Sequence, residues 1–288
     1  MQFISIKTRK FLPPKDNLYN LLDNHLPKLK EKDVLAITSK IISIHQGLCI
    51  KVDKSQPPLQ QKINLIKKEA DAYFKDNPHS LTIKDQTLTP YAGIDRSNAN
   101  NHYVLWPKNP NQTAEKIYKY LRHQHKIKNL GILIIDSFCL PMRWGHMGIS
   151  IGFHGFYPNQ EYSGKKDIFN HKIIQGNSNI VDGLASLSAV LMGEGNEQTP
   201  LLLIRNFNKL KFTDKPTHHH LKIPKQNQDL YAPLIKHLQG DSLKSLNQPA
   251  VCKITVINRA GTTTRETISL SPGKNILLPG RKFLSHCS

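Results

Sequence analysis

Long apolar segments, paired cysteines and aromatic residues are all scarce in this chain of 288 residues. No apolar run approaches the roughly 20 residues that a membrane-spanning helix needs. The first ten residues are charged and lack an apolar core, so we do not expect them to form a signal peptide. The four cysteines are dispersed and form no CxxC pair, which argues against a zinc site or a disulfide framework and favours a reducing cytoplasm.

Acidic residues are also scarce, because the chain has 21 Asp and Glu against 40 Lys and Arg, a formal net charge of +19. A surface of this charge attracts anions such as nucleic acids, nucleotides or poly-acidic substrates. The lysines are spread along the whole chain, however, so they are equally typical of the solvated surface of a basic protein. Aromatic residues make up only 7% and no nucleic-acid-binding motif is present, so RNA or DNA binding is kept only as an alternative.

Hydrophobic residues make up 38% of the chain, which is enough for most of it to fold. Continuous apolar runs predict buried strands at 34–38, 130–135 and 200–204. Apolar residues at spacings of three and four predict helices at 62–74, from Asn109-Pro110 onward, and at 180–192. Polar sequence predicts loops at 91–101 and 209–228. Strands and helices alternate loosely, which predicts an α+β fold.

The last forty or so residues differ from the rest of the chain. Two segments at 251–257 and 263–270 flank a turn at 259–261 and predict a β-hairpin. We therefore predict a main domain at 1–245 and a C-terminal β extension at 246–288.

Asp136 and Ser137 follow the predicted strand at 130–135, where a carboxylate would lie at the rim of a sheet. Ligands of α/β sheets bind at such rims. Carboxylate and hydroxyl oxygens are hard ligands that suit Mg²⁺ or Mn²⁺. An aspartate that caps the following turn would produce the same pattern, so this pair alone does not establish a metal site.

Two further polar segments could bind a nucleotide and its metal. The loop at 92–98 (AGIDRSN) contains the carboxylate of Asp95 beside glycine, hydroxyl and amide groups, which can supply a metal ligand and phosphate contacts. An ordinary Asx-turn loop is the alternative. Ser39 and Lys40 follow the strand at 34–38, where a hydroxyl and an ammonium suit a phosphate. No GxxxxGK[ST] motif is present, so this is not a P-loop, and a solvated strand end is the alternative.

Arg143 and Arg205 could hold an acidic substrate through bidentate hydrogen bonds. Exposed ion pairs are the alternative for both arginines. The three consecutive histidines at 218–220 are interpreted as a solvated loop, because adjacent side chains of an extended segment point to opposite sides.

Taken in order, these segments resemble the coenzyme F-420:L-glutamate ligase family, which includes a branch proposed to act in folate metabolism. The resemblance covers about residues 1–210 and leaves out the tail from Ala250. The loop AGIDRSN is its most specific part. The matching stretches are ITSKIIS at 37–43, AGIDRSN at 92–98, IDS at 135–137 with Pro141 and Arg143, SIG at 150–152, YSG at 162–164 with Asp167, VDGLA at 181–185 and LMGE at 191–194.

The resemblance implies a homodimer with a two-part α+β ligase fold that binds GTP or ATP and two divalent cations, Mg²⁺ or Mn²⁺. It implies that Asp95 and Asp136 hold one cation, that Ser137 contacts the second, and that Arg143 holds the acceptor carboxylate. The nucleotide contacts that it implies are Ser39 and Asn98, a turn at 8–11 that contains Arg9 and Lys10, and a stretch after Arg205. Lys40, next to Ser39, is assigned to the nucleotide because an ammonium at a strand end suits a phosphate.

The chain departs from the family pattern in three places. Ile44 stands where the family usually has a lysine that helps to bind the nucleotide, and Gln46 stands where it usually has an acidic residue. The run CLPMRWGHMG at 139–148 differs from the family's GRPWRxGQTD, in the segment that would shape the acceptor site. This pattern suggests the chemistry of the family with a different acceptor.

We therefore expect a γ-glutamyl ligase that joins L-glutamate to a cofactor carboxylate through an acyl phosphate. The acceptor would be folate or the deazaflavin coenzyme, and the altered run at 139–148 favours folate. Two alternatives stay open. One is a basic nucleic-acid-binding protein. The other is a degenerate ligase that binds nucleotide without turnover, which the departures at Ile44 and Gln46 suggest.

Overall fold

The computed structural model describes residues 1–73, 81–223, 229–235, 251–257 and 263–269. The chain divides into two compact units, Met1–Gly240 and Asp241–Ser288. The predicted domain boundary at 245/246 lies among residues 236–250, outside the described residues, and it stays a prediction.

The larger unit contains helices and strands in mixed order. Its strands are β1 (Gln2–Ile6), β2 (Asp33–Thr38), β3 (Cys49–Lys51), β4 (Ala72–Tyr73), β5 (Leu81–Lys84), β6 (Thr87–Pro90), β7 (His102–Val104), β8 (Leu130–Phe138), β9 (Met147–His154), β10 (Asn159–Glu161), β11 (Asn177–Asn179) and β12 (Leu201–Arg205). Its helices are α1 (Leu18–His25), α2 (Ser39–His45), α3 (Pro58–Glu69), α4 (Pro110–His125), α5 (Ile180–Met192) and α6 (Ala232–Ile235).

A five-stranded sheet with the order β1-β12-β2-β8-β9 forms the centre of this unit. β2 and β8 are parallel, with Thr38 opposite Ile135, and the other neighbours are antiparallel. Because β12 runs against β2, its first residue Leu201 lies opposite Ile37. β1 in turn runs against β12, which places Ile6 opposite Leu201. The ends of β1, β2 and β8 and the start of β12 therefore meet at one edge of the sheet.

The inner strands of this sheet are buried on both faces, which is why they are continuous apolar runs in the sequence. On one face, Leu35 and Ile132 belong to a core that includes α1, α2 and α4. On the other face, Ala36 and Leu133 pack with α5. The three predicted strands are confirmed, and so are the helices predicted from Pro110 onward and at 180–192.

A smaller part of the fold is inserted between β2 and β8. It contains a two-stranded sheet, β3-β7, and a three-stranded sheet, β4-β5-β6. Ile66 of α3 is fully buried there, in a cluster with Ala92, Ile94 and Tyr103. The predicted α+β class and its two parts are thus confirmed, and the smaller part carries the loop at 92–98.

The helix predicted at 62–74 is wrong at both ends. Helix α3 starts earlier, at a proline that suits the first turn of a helix. It ends earlier because Ala70 is already extended and the Asp71 N–H donates to the Ile83 carbonyl at 2.8 Å. This bond starts the pairing of β4 with β5, whereas Phe74 lies outside the described residues.

Strand β8 is longer than the run predicted at 130–135. It continues to Phe138, because β9 pairs with it as a hairpin beyond a register shift after Ile134. Asp136 and Ser137 therefore lie inside a strand and not in the turn that would follow one. The hairpin ladder supplies the backbone hydrogen bonds that a turn would otherwise have provided.

Two predictions concern the C-terminal part of the chain. The predicted loop at 209–228 is irregular as far as Ile223 apart from a 3-10 turn at His218–His220, and 224–228 lie outside the described residues. In the smaller unit, β13 (Val251–Ile257) and β14 (Thr263–Ser269) pair antiparallel, which confirms the two strands of the hairpin. The predicted turn at 259–261 falls outside the described residues.

Helix α5 lies directly against β9 at Gly148. A methyl group on this residue would come within 2.2 Å of the Ala185 carbonyl oxygen. The Ser186 hydroxyl also donates to the Gly148 carbonyl at 2.7 Å. Gly183 lies in the same helix, but a methyl group there would meet no neighbouring atom within 4 Å. The packing of helix on strand thus depends on one glycine and not on the other.

We predict that Gly148→Ala lowers the free energy of unfolding by about 1–3 kcal/mol, because α5 must move away from the strand. The matched control Gly183→Ala should raise it by up to about 1 kcal/mol, since alanine is the better helix former. Urea unfolding followed by circular dichroism measures both variants. Equal effects of the two substitutions would contradict the close contact of α5 with β9.

Candidate functional site

The edge of the sheet at which β1, β2 and β8 end and β12 begins opens into a cavity of about 690 Å³. Backbone hydrogen bonds tie the segments around it together. The Thr38 N–H donates to the Pro200 carbonyl at 3.1 Å, and the Thr8 N–H donates to the Gln198 carbonyl at 2.9 Å. The lining residues are Ala189 of α5 and residues within the ranges 8–13, 38–44, 95–100, 135–137 and 192–200.

The loop that carries Asp95 is fixed by a left-handed turn. Ala92 and Gly93 have φ angles of 53° and 67°. A residue other than glycine in this conformation is strained and depends on its surroundings. The Ala92 N–H donates to the buried hydroxyl of Thr82 at 2.8 Å. Gly93 lies flat on Trp106, since an added methyl group would come within 2.1 Å of the indole ring.

Asp95 is held by an ion pair and by its own loop. Lys40 Nζ lies 2.6 Å from Asp95 Oδ2, and it also donates to the Ser97 carbonyl at 2.8 Å. The N–H and the hydroxyl of Ser97 each donate to the Asp95 carboxylate at 2.8 Å. Burial opposes ionisation, but Lys40 and Ser97 outweigh it and hold the pKa of Asp95 below its ordinary value.

Asp136 is half-buried, lines the same cavity and has a different electrostatic environment. Burial raises the pKa of its carboxyl group from the ordinary value of 3.8 to about 7, and the negative charge of Asp95 adds to this increase. The Ser137 N–H donates to Asp136 Oδ1 at 2.8 Å and opposes the shift, as do Lys40 and Ser39. The cavity therefore contains two interacting carboxyl groups, of which one is poorly compensated.

The donor set of this cavity fits a divalent cation. A cation would supply the positive charge that Asp136 lacks, and the oxygens of Asp95, Asp136 and Ser137 are ligands that Mg²⁺ and Mn²⁺ prefer. Within the described part of the chain, no three or more His, Cys, Asp or Glu side chains are grouped to hold a metal. Other ligands of a cation would therefore be hydroxyl, backbone, water or substrate oxygens, as is common for Mg²⁺.

The sequence prediction missed one wall of the cavity, at 193–198 between α5 and β12. The side-chain amide of Asn98 donates to the Gly195 carbonyl at 2.7 Å, so this segment is joined to the AGIDRSN loop. Glu197 accepts a hydrogen bond from the Gly195 N–H at 2.9 Å. The stretch after Arg205, which the sequence predicts to bind the nucleotide, does not line the cavity. The available signal was the run GEGNE directly after a predicted helix.

Arg9 and Lys10 both line the cavity, as predicted for nucleotide-binding residues. The guanidinium of Arg9 is bound to Asp16, however, with N–O distances of 2.6 and 2.8 Å. This side chain is therefore occupied within its own loop.

Arg143 and Arg205 lie outside the cavity. Arg205 Nε donates to both carboxylate oxygens of the buried Asp33 at 3.1 Å, at the opposite edge of the sheet. Arg143 is exposed in the β8–β9 loop, where its N–H donates to the Leu140 carbonyl at 3.3 Å. Neither arginine lines the cavity, and the binding roles predicted for both stay predictions.

Ile44 of α2 and Gln46, the residue directly after this helix, depart from the family pattern and have different surroundings. Ile44 is buried and lines the cavity, so it replaces a charged side chain with an apolar wall. Gln46 is not among the lining residues. Its side-chain oxygen accepts from the Lys108 N–H at 2.8 Å, and its nitrogen donates to the Lys108 carbonyl at 3.0 Å. A carboxylate could not donate the second bond, so the glutamine serves a structural purpose.

Three other features lie away from the cavity. The segment His218–His220 is largely exposed, as predicted for a solvated loop. It is a 3-10 turn and not the extended segment that was assumed, so the rings of His219 and His220 lie side by side with their centres 4.1 Å apart. Cys49 and Cys139 are free thiols, and the cytoplasmic location inferred from dispersed cysteines stays a prediction. In the described ranges, no helix combines the length and apolar character required to cross a membrane.

Known proteins similar to this chain are ligases. The family model described as F420-0:Gamma-glutamyl ligase matches residues 6–206. A coenzyme F420:L-glutamate ligase of Methanocaldococcus jannaschii is 31% identical over 195 residues, which cover 62% of this chain and 78% of the relative. The Methanococcus maripaludis C7 protein of the same name is 30% identical over 62% of this chain and 77% of its own length. The Methanopyrus kandleri protein of that name is 26% identical over 76% of this chain and 92% of its own length.

The family match includes every segment that lines the cavity, from the turn after β1 to the segment before β12. Asp95, Asp136 and the loop at 92–98 all lie within it. The chain belongs to the F420-0:Gamma-glutamyl ligase family.

Proposed function

We propose that this chain is a nucleotide- and divalent-metal-dependent γ-glutamyl ligase that adds L-glutamate to a cofactor carboxylate. The observation that carries the proposal is that Lys40, Asp95 and Asp136, from three separate segments, meet at one cavity. The names of the similar proteins support ligase chemistry, and the charge pattern of the cavity supports a nucleotide with its cations.

The nucleotide, GTP or ATP, would bind where donors and cationic groups face the cavity. Ser39 and Lys40 form the first turn of α2, which no side chain caps, so its N–H groups can donate to phosphate oxygens. Asn98 and Lys10 lie on the other walls. The positive surface of the chain would raise the local concentration of nucleotide and of acidic substrates.

Asp95 and Asp136 would hold one cation, and Ser137 would contact the second. Bound divalent cations neutralise charge on a transferring phosphoryl group. Lys40 would share Asp95 with the first cation, because its ammonium group already lies 2.6 Å from that carboxylate. The raised pKa of Asp136 supports this assignment, since a carboxyl group that is costly to ionise alone gains most from a cation.

In the proposed reaction, the γ-phosphoryl group of the nucleotide moves to an oxygen of the acceptor carboxylate, which gives an acyl phosphate and a nucleoside diphosphate. The amine of L-glutamate then attacks the acyl carbon. Phosphate leaves, and the amine loses a proton to give the amide. The residues of the cavity bind and orient the anionic groups, which is the main contribution of a protein to phosphoryl transfer.

For the acceptor, we propose folate over the deazaflavin coenzyme named in the relatives. The support is the altered run at 139–148, in which Leu140 of the β8–β9 loop and Gly148 of β9 replace charged residues of the family pattern. Folate lacks the phosphorylated side chain that the basic residue replaced by Leu140 would bind. Arg143 stays available for a carboxylate, which both acceptors have.

We also propose a homodimer, because the larger unit exposes large apolar side chains. Met142 and Trp144 are fully exposed in the β8–β9 loop, and Val190 of α5 is 72% exposed. Ile168 and Phe169 are exposed in the segment between β10 and β11. Exposed apolar groups of this size are typical of interfaces between subunits.

The degenerate-ligase alternative is weaker, because Gln46 has a structural purpose away from the cavity. Ile44 remains as its only support. The nucleic-acid alternative has no support beyond the net charge.

We predict that Asp136→Asn stabilises the metal-free protein at pH 8, by on the order of 2 kcal/mol. The folded pKa of about 7 exceeds the unfolded value, so ionisation costs stability as pH rises from about 4 to 7, and the cost persists above pH 7. The gain should shrink toward pH 5. Thermal unfolding with and without Mn²⁺ measures it, and Mn²⁺ should stabilise the wild type more than the variant. A variant less stable than the wild type at pH 8 would contradict the assigned environment.

We predict that the purified protein extends tetrahydrofolate monoglutamate when supplied with L-glutamate, Mg²⁺ and GTP or ATP, as measured by mass spectrometry. Asp95→Asn and Asp136→Asn should each lower the rate roughly 100-fold or more, because cations supply several kcal/mol to phosphoryl transfer. Asp53→Asn, in a loop outside the cavity, is the matched control and should leave the rate unchanged. Extension of the deazaflavin acceptor alone would refute folate, and extension of neither would refute the ligase.

We predict a particle of twice the chain mass of 32.7 kDa in multi-angle light scattering at micromolar concentration. Val190→Glu should weaken the dimer, because it would place a charge in the apolar surface. Lys119→Glu, on an exposed part of α4, is the control. A stable monomer for the wild type would count against the proposed assembly.

A further inference from the structure

One wall of the cavity is a stretch of chain without regular secondary structure, at residues 8–13, which we call the hook. It follows β1 and precedes α1. A backbone bond from Thr8 to the Gln198 carbonyl fixes its start. Residues 9–13 make no backbone–backbone hydrogen bond to any of the described residues. Side-chain contacts therefore hold the rest of the hook.

Asp16 is the residue that supplies these contacts. Its carboxylate accepts two hydrogen bonds from the Arg9 guanidinium, at 2.6 and 2.8 Å. It also accepts from the Leu12 N–H at 3.0 Å and from the Asn17 N–H at 2.7 Å. Four donors thus converge on one carboxylate whose side chain is only 14% exposed. Bidentate pairing of this kind is strong and fixes geometry.

The Arg9 side chain binds residues of its own loop. Besides its two bonds to Asp16, it donates to the Lys10 carbonyl at 3.0 Å. Its guanidinium also lies 5.7 Å from the centre of the Phe11 ring. All of these partners lie between residues 10 and 16. The arginine is therefore used to shape the loop.

The closed hook leaves donors for a ligand. The backbone N–H groups of Lys10 and Phe11 make no hydrogen bond to any of the described residues, and both residues line the cavity. Unpaired N–H groups in a concave turn are suited to an anion or a hydrogen-bonding ligand. Asp16 thereby holds the loop in a conformation that leaves these two N–H groups unpaired among the described residues, at positions that line the cavity.

The same residue couples the hook to the helix that carries Ser39 and Lys40. Nδ1 of His45, in the last turn of α2, lies 3.2 Å from the Asp16 carbonyl oxygen and 3.2 Å from the Leu18 nitrogen. The hook and α2 are therefore fixed relative to each other, on two walls of one cavity.

We propose that Asp16 is a positioning residue for the nucleotide, which holds Arg9 so that the hook presents its backbone donors to the ligand. In this proposal, Arg9 stabilises the hook by binding Asp16 and does not contact the nucleotide. This inference rests on the proposed function, because it takes the ligand of the cavity to be GTP or ATP.

The test measures binding of MgGTP and MgATP by isothermal titration calorimetry, with no acceptor present, and then the kinetics of glutamylation. Asp16→Asn should raise the nucleotide dissociation constant about tenfold and leave kcat within about twofold, because Asp16 lies behind the hook and touches no reacting atom. Arg9→Met should weaken binding by a similar factor. The double variant should be no worse than either single variant, since both remove one interaction.

Glu31→Gln is the matched control. Glu31 also holds a loop by accepting backbone hydrogen bonds, from Lys128 at 2.7 Å and Asn129 at 3.0 Å, but it does so at the opposite edge of the sheet. The Glu31→Gln variant should have a lower thermal stability and an unchanged nucleotide affinity. If Asp16→Asn does not fold, Arg9→Lys replaces it, because that exposed change keeps the charge and loses the bidentate geometry. It should weaken binding about threefold.

The outcomes separate the two proposals. Unchanged or tighter nucleotide binding by Asp16→Asn would overturn the positioning role, because a freed Arg9 that contacts the nucleotide directly would improve affinity. Equal weakening by Glu31→Gln would overturn it as well, since the effect would then follow general stability. A wild-type protein that binds neither nucleotide would overturn the proposed function together with this inference.

Discussion

The parallel pairing of β2 with β8 is the constraint on which the rest of the site depends. It brings Thr38 and Ile135 side by side, so that the residues that follow each of them emerge at the same edge of the sheet. β1 and β12 join this edge through antiparallel pairing with the sheet. Four segments from distant parts of the sequence therefore meet without any of them carrying a complete motif. A cavity at such an edge is where ligands of α/β sheets usually bind.

The charges at this edge are unequal in a way that matters for chemistry. Lys40 forms an ion pair with Asp95 and holds its pKa low, whereas burial and the charge of Asp95 raise the pKa of Asp136. A single lysine cannot compensate both carboxylates. The cavity thus favours an additional cation, while the hook and the first turn of α2 favour an anion. A nucleotide bound together with divalent cations satisfies both preferences.

The elements that could be predicted from the sequence are those fixed by local pattern. Buried strands and amphipathic helices were found because their apolar spacing is independent of the rest of the fold. The polar segments around Asp95 and Asp136 could be identified as candidates, and the family resemblance joined them. The last residues of β8 cannot be predicted from local composition, because their pairing with β9 is set by the partner strand.

The remaining features of the site arise from contacts that sequence spacing does not show. The wall at 193–198 carries no periodic pattern, and its place depends on how α5 leads back to β12. The pairing of Arg9 with Asp16 joins two residues of a loop, for which no helical or strand spacing predicts a contact. Arg205 was expected at the nucleotide, but antiparallel pairing of β12 places it at the far edge beside Asp33.

The central claim is that the carboxylates of Asp95 and Asp136 share a divalent cation at the edge of the central sheet. A crystal structure of the protein with Mn²⁺ and nucleotide, with data collected for the anomalous signal of manganese, tests this claim most directly. The account predicts an anomalous peak within about 2.2 Å of an oxygen of each of these two carboxylates. A peak elsewhere, or an Asp95 that contacts only Lys40 while nucleotide occupies the cavity, would contradict it.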